Sequence, residues 1–293
     1  MTSNSYTGTG VALITPFSNG TIDFNSLARI IDHVISGGVD YVVSLGTTGE
    51  TPTLSSAEKQ EVLTFTVNKV DGRVPIVAGF GGNNTSALIA SVKSFDLNGV
   101  SAILSASPSY NKPSQRGIIA HYRALADTAP HPVILYNVPG RTCSNITAET
   151  TLELATHPNI IGIKEASGDI QQATEIIRNA PENFLTISGD DPTALALIGT
   201  GGHGVISVIA NALPRDFSTM IRHAINGDVK SAQLLNNRLF PIHHWLYVEG
   251  NPVGIKEACS YLDLCKPEVR LPLVQMTDAN KMLLHRSMKN AGY

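Results

Sequence analysis

Four kinds of side chain in this sequence could do chemistry together: an amine, hydroxyls, phenols and a guanidinium. The amine is Lys164. Of the ten lysines, nine read as lying in polar or helical surroundings, whereas Lys164 interrupts an apolar, strand-like run, Asn159-Ile160-Ile161-Gly162-Ile163-Lys164-Glu165-Ala166. A lysine of ordinary pKa, ~10.4, is only about 0.04% neutral at pH 7. Burial can lower that pKa by roughly two to three units, which makes the amine a usable nucleophile toward a carbonyl. Strand alternation gives Gly162 and Ala166 the parity of Lys164, so the wall beside the amine is expected to be small-sided. The competing reading is a structural lysine paired with Glu165. Thr47 and Thr48, in Gly46-Thr47-Thr48-Gly49-Glu50, offer hydroxyls and backbone N–H groups for a carboxylate, or are simply a turn. Tyr136, beside an amine, could relay protons to and from a carbinolamine, or is a packed aromatic. Arg141 follows Pro139-Gly140 and offers a bidentate fork for a carboxylate, or is a surface charge.

Composition bounds the rest. The chain has 293 residues, 42% apolar and 15% charged, as expected of a folded globular protein. A formal charge of −3 leaves no basic excess for nucleic acid. The first residues, Met1-Thr2-Ser3-Asn4-Ser5, carry no charged and then apolar leader. No apolar run reaches the ~20 residues that span a bilayer. The three cysteines, Cys143, Cys259 and Cys265, show no CxxC spacing. A cytoplasmic location with incidental thiols is therefore expected. The nine histidines form no HExxH-like cluster, so neither metal nor cofactor is assigned.

The elements that must position these groups recur with a period of about thirty residues. Strands are expected at Gly10–Pro16, Tyr41–Gly46, Pro75–Gly79, Val100–Leu104, Val133–Asn137, Ile160–Lys164, Leu185–Gly189 and Gly204–Ser207. Each is followed by a helical pattern. Asp23 or Asn25 can cap the first helix, and Ser55 with Glu58 forms a capping box for the second. None of the strands alternates cleanly, as in a parallel sheet covered by helices. Eight such units predict an α/β (β/α)8 TIM barrel over residues 1–227. Residues 228–293 break the rhythm, with helical patterns near 229–248, 252–262 and 277–290 and breaks at Pro241, Pro252, Pro267 and Pro272. They are expected to form a C-terminal three-helix extension packed on the barrel. In such a barrel the active groups sit where strands end, which gathers Thr47, Thr48, Tyr110, Tyr136, Arg141, Lys164, Gly189 and Ile206 at one face. Asp190-Asp191 reads as a helix cap. Gly199-Thr200-Gly201-Gly202-His203-Gly204 reads as a tight turn, with phosphate binding as its alternative.

With these residues in place, the sequence resembles the dihydrodipicolinate synthase family of class I pyruvate-dependent aldolases. The matching stretches are Gly46-Thr47-Thr48-Gly49-Glu50, Tyr136-Asn137-Val138-Pro139-Gly140-Arg141-Thr142, Ile161–Ala166, Ser188-Gly189-Asp190-Asp191, Gly201–Ser207 and Asn251-Pro252. The resemblance implies that Lys164 forms a Schiff base with pyruvate, and that the enamine adds to L-aspartate 4-semialdehyde. It implies a proton relay of Thr47, Tyr136 and Tyr110, with Tyr110 reaching in from a neighbouring subunit. Thr48 would hold the pyruvate carboxylate, Arg141 the semialdehyde carboxylate, and Gly189 and Ile206 would line the site through the main chain. It also implies a homotetramer, a dimer of tight dimers. A sister lyase acting on N-acetylneuraminate or a 2-keto-3-deoxy sugar acid is the alternative, and Thr48 and Arg141 speak against it. At the positions where lysine-inhibited members bind their effector stand Ser56, Lys59, Ala87 and Ser109. Weak or absent inhibition by lysine is expected, because Lys59 repels an ammonium.

Overall fold

A computed structural model describes residues 6–293. The eight barrel strands are β1 Gly8–Ala12, β2 Tyr41–Ser44, β3 Ile76–Gly81, β4 Ala102–Ala106, β5 Val133–Asn137, β6 Ile160–Glu165, β7 Leu185–Ser188 and β8 Gly204–Ser207. They close in sequence order, every neighbour parallel, with β8 returning to β1. The register places Tyr136 of β5 beside Lys164 of β6, and Lys164 beside Ile187 of β7.

Helices α1 Phe24–Ser36, α2 Ser56–Val70, α3 Thr85–Ser94, α4 Gln115–Thr128, α5 Ala148–Leu154, α6 Ile170–Asn179, α7 Ala194–Gly199 and α8 Pro214–Ile225 alternate with the strands. Local chemistry starts them. Asp23 Oδ1 accepts from Ser26 N to open α1, and the Ser55–Glu58 capping box opens α2. The strands are buried on both faces, which explains their unbroken apolar runs. Outward residues such as Val42, Ile103 and Leu135 meet the helices. Inward residues, among them Tyr41, Val77, Ile134, Tyr136, Ile187 and Ile206, fill the barrel interior. Each fully buried aliphatic side chain contributes roughly 1.5–3 kcal/mol relative to exposure.

The tail forms α9 Val229–Tyr247, α10 Val253–Tyr261 and α11 Asp278–Asn290. α9 lies along α8, and α11 packs on both α9 and α10. Pro241, expected as a break, lies inside α9. A proline there removes one backbone hydrogen bond, but Leu239, Ile242 and Leu246 are buried around it and hold the helix together. The glycine run before β8 is a helix-to-strand turn, so it lies at the end of the barrel opposite the strand C-termini. Gly204 shows why glycine is needed there: with φ 152°, a Cβ would lie 2.0 Å from the Gly8 carbonyl oxygen.

Candidate active site

β6 ends by sending neighbouring side chains in opposite directions. Glu165 leaves the barrel interior. Its carboxylate accepts from Asn137 Nδ2 (2.9 and 3.2 Å), Ser167 N (2.7 Å) and Gln172 Nε2 (2.9 Å). The Lys164–Glu165 pairing is thereby ruled out. Lys164 turns inward, is 5% exposed, and holds its Nζ 4.4 Å from the centre of the Tyr136 ring. No ion pair among the described residues involves Lys164.

Above the amine lies a cavity of about 490 Å³ at the C-terminal ends of the strands, lined by Lys164, Tyr136, Thr47, Arg141, Phe80 and Ser107. Its volume lies within the ~300–1,000 Å³ usual for small-molecule sites. Thr47 comes from a single 3-10 turn, Thr47–Gly49, directly after β2. The first N–H groups of such a turn have no partner within it and are available to an anion. Arg141 comes from the helical turn Pro139–Thr142 after β5, and Nη2 donates to the Asn251 carbonyl at 3.4 Å.

Other expected residues sit behind or outside this cavity. Thr48 is buried, and its Oγ1 accepts from Asn251 Nδ2 at 3.0 Å. Gly189 lies against the lysine stem: a Cβ there would be 2.9 Å from Lys164 Cε and 3.0 Å from its Cγ. Gly162 does not provide the expected small wall. A Cβ there would meet the Leu185 carbonyl oxygen at 2.6 Å, so its smallness serves the contact with β7. Ile206 is buried in the interior layer, its backbone paired with Gly10 of β1. Tyr110 is not brought to this site within its own chain; it is 88% exposed, with left-handed backbone at φ 71°. Lys59 and Ser109, expected at an effector position, line the same cavity as Lys164.

Asp190 Oδ2 accepts from Thr193 N at 3.2 Å, as a cap does. Asp191 does something else. It is fully buried, and Oδ2 accepts from Val208 N (3.0 Å) and Ile209 N (2.8 Å), tying the exit of β7 to that of β8. Burial pushes its carboxyl up to about 6, against the two backbone N–H groups that favour the charged form.

Two residues were not assigned roles from sequence. Asn251, in the loop between α9 and α10, touches both Thr48 and Arg141; its only signal was the Asn-Pro pair. Lys256, expected to be an ordinary lysine of polar or helical surroundings, is 0% exposed and ion-paired with Glu50. Its partner is 206 positions away, beyond the reach of any local pattern.

The sequence profile of the Dihydrodipicolinate synthetase family matches residues 5–291. The chain belongs to that family. The 4-hydroxy-tetrahydrodipicolinate synthase of Phocaeicola vulgatus is 48% identical over 279 residues, 94% of each chain. A monomeric dihydrodipicolinate synthase variant superposes with a TM-score of 0.96 at 34% identity, covering 99% of this chain and 98% of that one. The chloride-inhibited dihydrodipicolinate synthase of Acinetobacter baumannii, in complex with pyruvate, superposes at 0.95 with 38% identity over 98% and 99% of the two chains. The dihydrodipicolinate synthase fold is therefore shared over 98–99% of the chain, C-terminal helices included.

Proposed function

We infer that this chain is a lyase, a 4-hydroxy-tetrahydrodipicolinate synthase, which condenses pyruvate with L-aspartate 4-semialdehyde in diaminopimelate and lysine biosynthesis. The observation that carries the reading is the amine of Lys164, buried with no carboxylate partner among the described residues, at the floor of a cavity shared with Tyr136, Thr47 and Arg141.

The chemistry follows from those groups. Lys164 Nζ adds to the keto carbon of pyruvate, and the Tyr136 phenol, with Thr47, carries protons to and from the carbinolamine oxygen until it leaves as water. The backbone N–H groups around Thr47 and Thr48 take the pyruvate carboxylate, while Thr48 Oγ1 is braced by Asn251. Loss of a methyl proton gives the enamine, whose carbon attacks the aldehyde of the semialdehyde. Arg141 holds the carboxylate of that second substrate. The substrate amine then attacks the imine carbon, which closes the ring and frees Lys164. Gly189, against the lysine stem, and Ile206, in the interior layer, back the site through their main chain.

Tyr110 belongs to the relay of a second copy in this reading. A tyrosine ring 88% exposed on left-handed backbone has no packing reason within its own chain, and a homotetramer built from tight dimers supplies one. The three free thiols suit the cytoplasm. Lys59 at the cavity mouth opposes an ammonium, so sub-millimolar lysine should leave the rate unchanged; inhibition there would contradict this. The discriminating assay offers pyruvate with aspartate semialdehyde, and separately N-acetylneuraminate. Condensation without cleavage of the sugar acid is expected, and the reverse would make the chain a sugar-acid lyase.

A further inference from the structure

The turn that carries Thr47 and Thr48 is bracketed by two residues in an uncomfortable conformation. Leu45 has φ 59° and Glu50 φ 53°. Neither is glycine, and a left-handed residue of this kind is strained and persists only where its surroundings hold it. On the upstream side, Thr51 Oγ1 donates to the carbonyls of Leu45 (2.8 Å) and Gly46 (2.9 Å). Within the turn, Glu50 N donates to Thr47 O at 3.2 Å.

The downstream hold comes from the C-terminal extension. Glu50 Oε1 accepts from Lys256 Nζ, and Oε2 accepts from Arg270 N at 3.0 Å. Lys256 Nζ also donates to the Glu268 carbonyl at 2.8 Å. It lies 4.1 Å from the centre of the Phe17 ring, and the Arg270 guanidinium lies 4.4 Å from the same ring. Glu50 is 2% exposed and Lys256 0%, and neither lines the cavity. Apolar pairs of similar volume often replace a buried ion pair without loss of stability, so stability alone does not account for a charged pair at this place.

We propose that Glu50 and Lys256 are positioning residues: through this buried pair the C-terminal extension sets the pose of the Thr47–Thr48 turn, and so the grip on the carboxylate of the keto acid. The proposal rests on the reading of the site given above. It makes the extension part of the catalytic apparatus, acting on the turn from behind.

The test is reductive trapping of pyruvate on Lys164 by borohydride, followed by mass as a function of pyruvate concentration, alongside thermal melting. Two variants are used. Glu50→Gln with Lys256→Met is neutral and nearly isosteric. Glu50→Asp keeps both charges but shortens the reach by one methylene, and covers the case in which the double variant does not fold. Losing one charge-assisted contact to the carboxylate raises the half-saturating pyruvate about tenfold, so a shift of that size is expected in folded protein of either variant. A purely structural pair would lower the melting temperature and leave half-saturation of the folded fraction unmoved. A folded variant with half-saturation within about twofold of the parent overturns the proposal. Failure of the parent itself to trap pyruvate overturns the underlying reading as well, so the two failures are told apart.

Discussion

Replacing Gly189 by alanine tests how closely the wall fixes the amine of Lys164. The new Cβ would stand 2.9 Å from Lys164 Cε, 3.0 Å from Lys164 Cγ and 2.6 Å from Ala166 Cβ. Non-bonded carbons prefer about 3.5–4.0 Å, so the lysine stem must move by roughly 0.5–1 Å. It is 5% exposed and cannot swing into solvent. Overpacking of this kind costs about 1–3 kcal/mol of stability, which a folded barrel survives. A misplacement of about 1 Å at a reacting atom is worth about 100-fold in rate, or roughly 2.7 kcal/mol of barrier. Gly189→Ala should therefore fold, melt somewhat lower, and form the pyruvate adduct on Lys164 about 100-fold more slowly in single-turnover borohydride trapping. Trapping at the parent rate in the folded variant would refute the argument that this glycine holds the amine in place.

Arg141→Ala should raise the half-saturating semialdehyde by roughly 10–100-fold, the worth of a charge-assisted hydrogen bond, while pyruvate trapping persists; equal loss of both steps in initial-rate and trapping assays would count against its assigned partner. Asp191 makes stability depend on pH. Its buried carboxyl holds a proton up to about 6 rather than the ordinary 3.8, so the folded state binds the extra proton between those values. The stability gained from that proton is present below about 4 and lost as pH rises through about 6, roughly 3 kcal/mol in all. Urea midpoints of the parent and Asp191→Asn should diverge across that window; parallel curves would show that the carboxyl does not titrate there. Finally, Lys164→Ala and Tyr110→Phe should each be nearly inactive alone. Mixed and reassembled through a two-fold tight dimer, they should recover about a quarter of the intact sites. No recovery, with subunit exchange confirmed by native mass spectrometry, would confine Tyr110 to its own chain.

Much of this architecture was legible because its signals are local. Val133–Asn137 and Gly204–Ser207 are strands with the expected bounds, since each is a short apolar run with clear punctuation. β1 was misplaced. It runs Gly8–Ala12, not Gly10–Pro16, because the chain leaves the sheet at Leu13 while staying apolar. Ile14 N instead donates to Asn211 Oδ1 and Thr15 Oγ1 to the Gly49 carbonyl, so these residues roof the barrel. The two lysines make the limit plainer. Gly-Ile-Lys-Glu-Ala occurs at 162–166 and again at 254–258. The first copy lies on β6 and continues just past it, with its amine facing the cavity; the second lies in α10, with its amine locked to Glu50. Identical pentapeptides adopt different structures because packing, not propensity, decides. Lys164 is legible from the strand pattern around it. Lys256 is not, because its partner enters from the far end of the chain.

The most direct measurement is borohydride reduction in the presence of pyruvate, followed by intact mass and peptide mapping. One covalent adduct per chain is expected, on the peptide containing Lys164, and none in Lys164→Ala. An adduct that persists in that variant, or maps to Lys256, would contradict that role for Lys164.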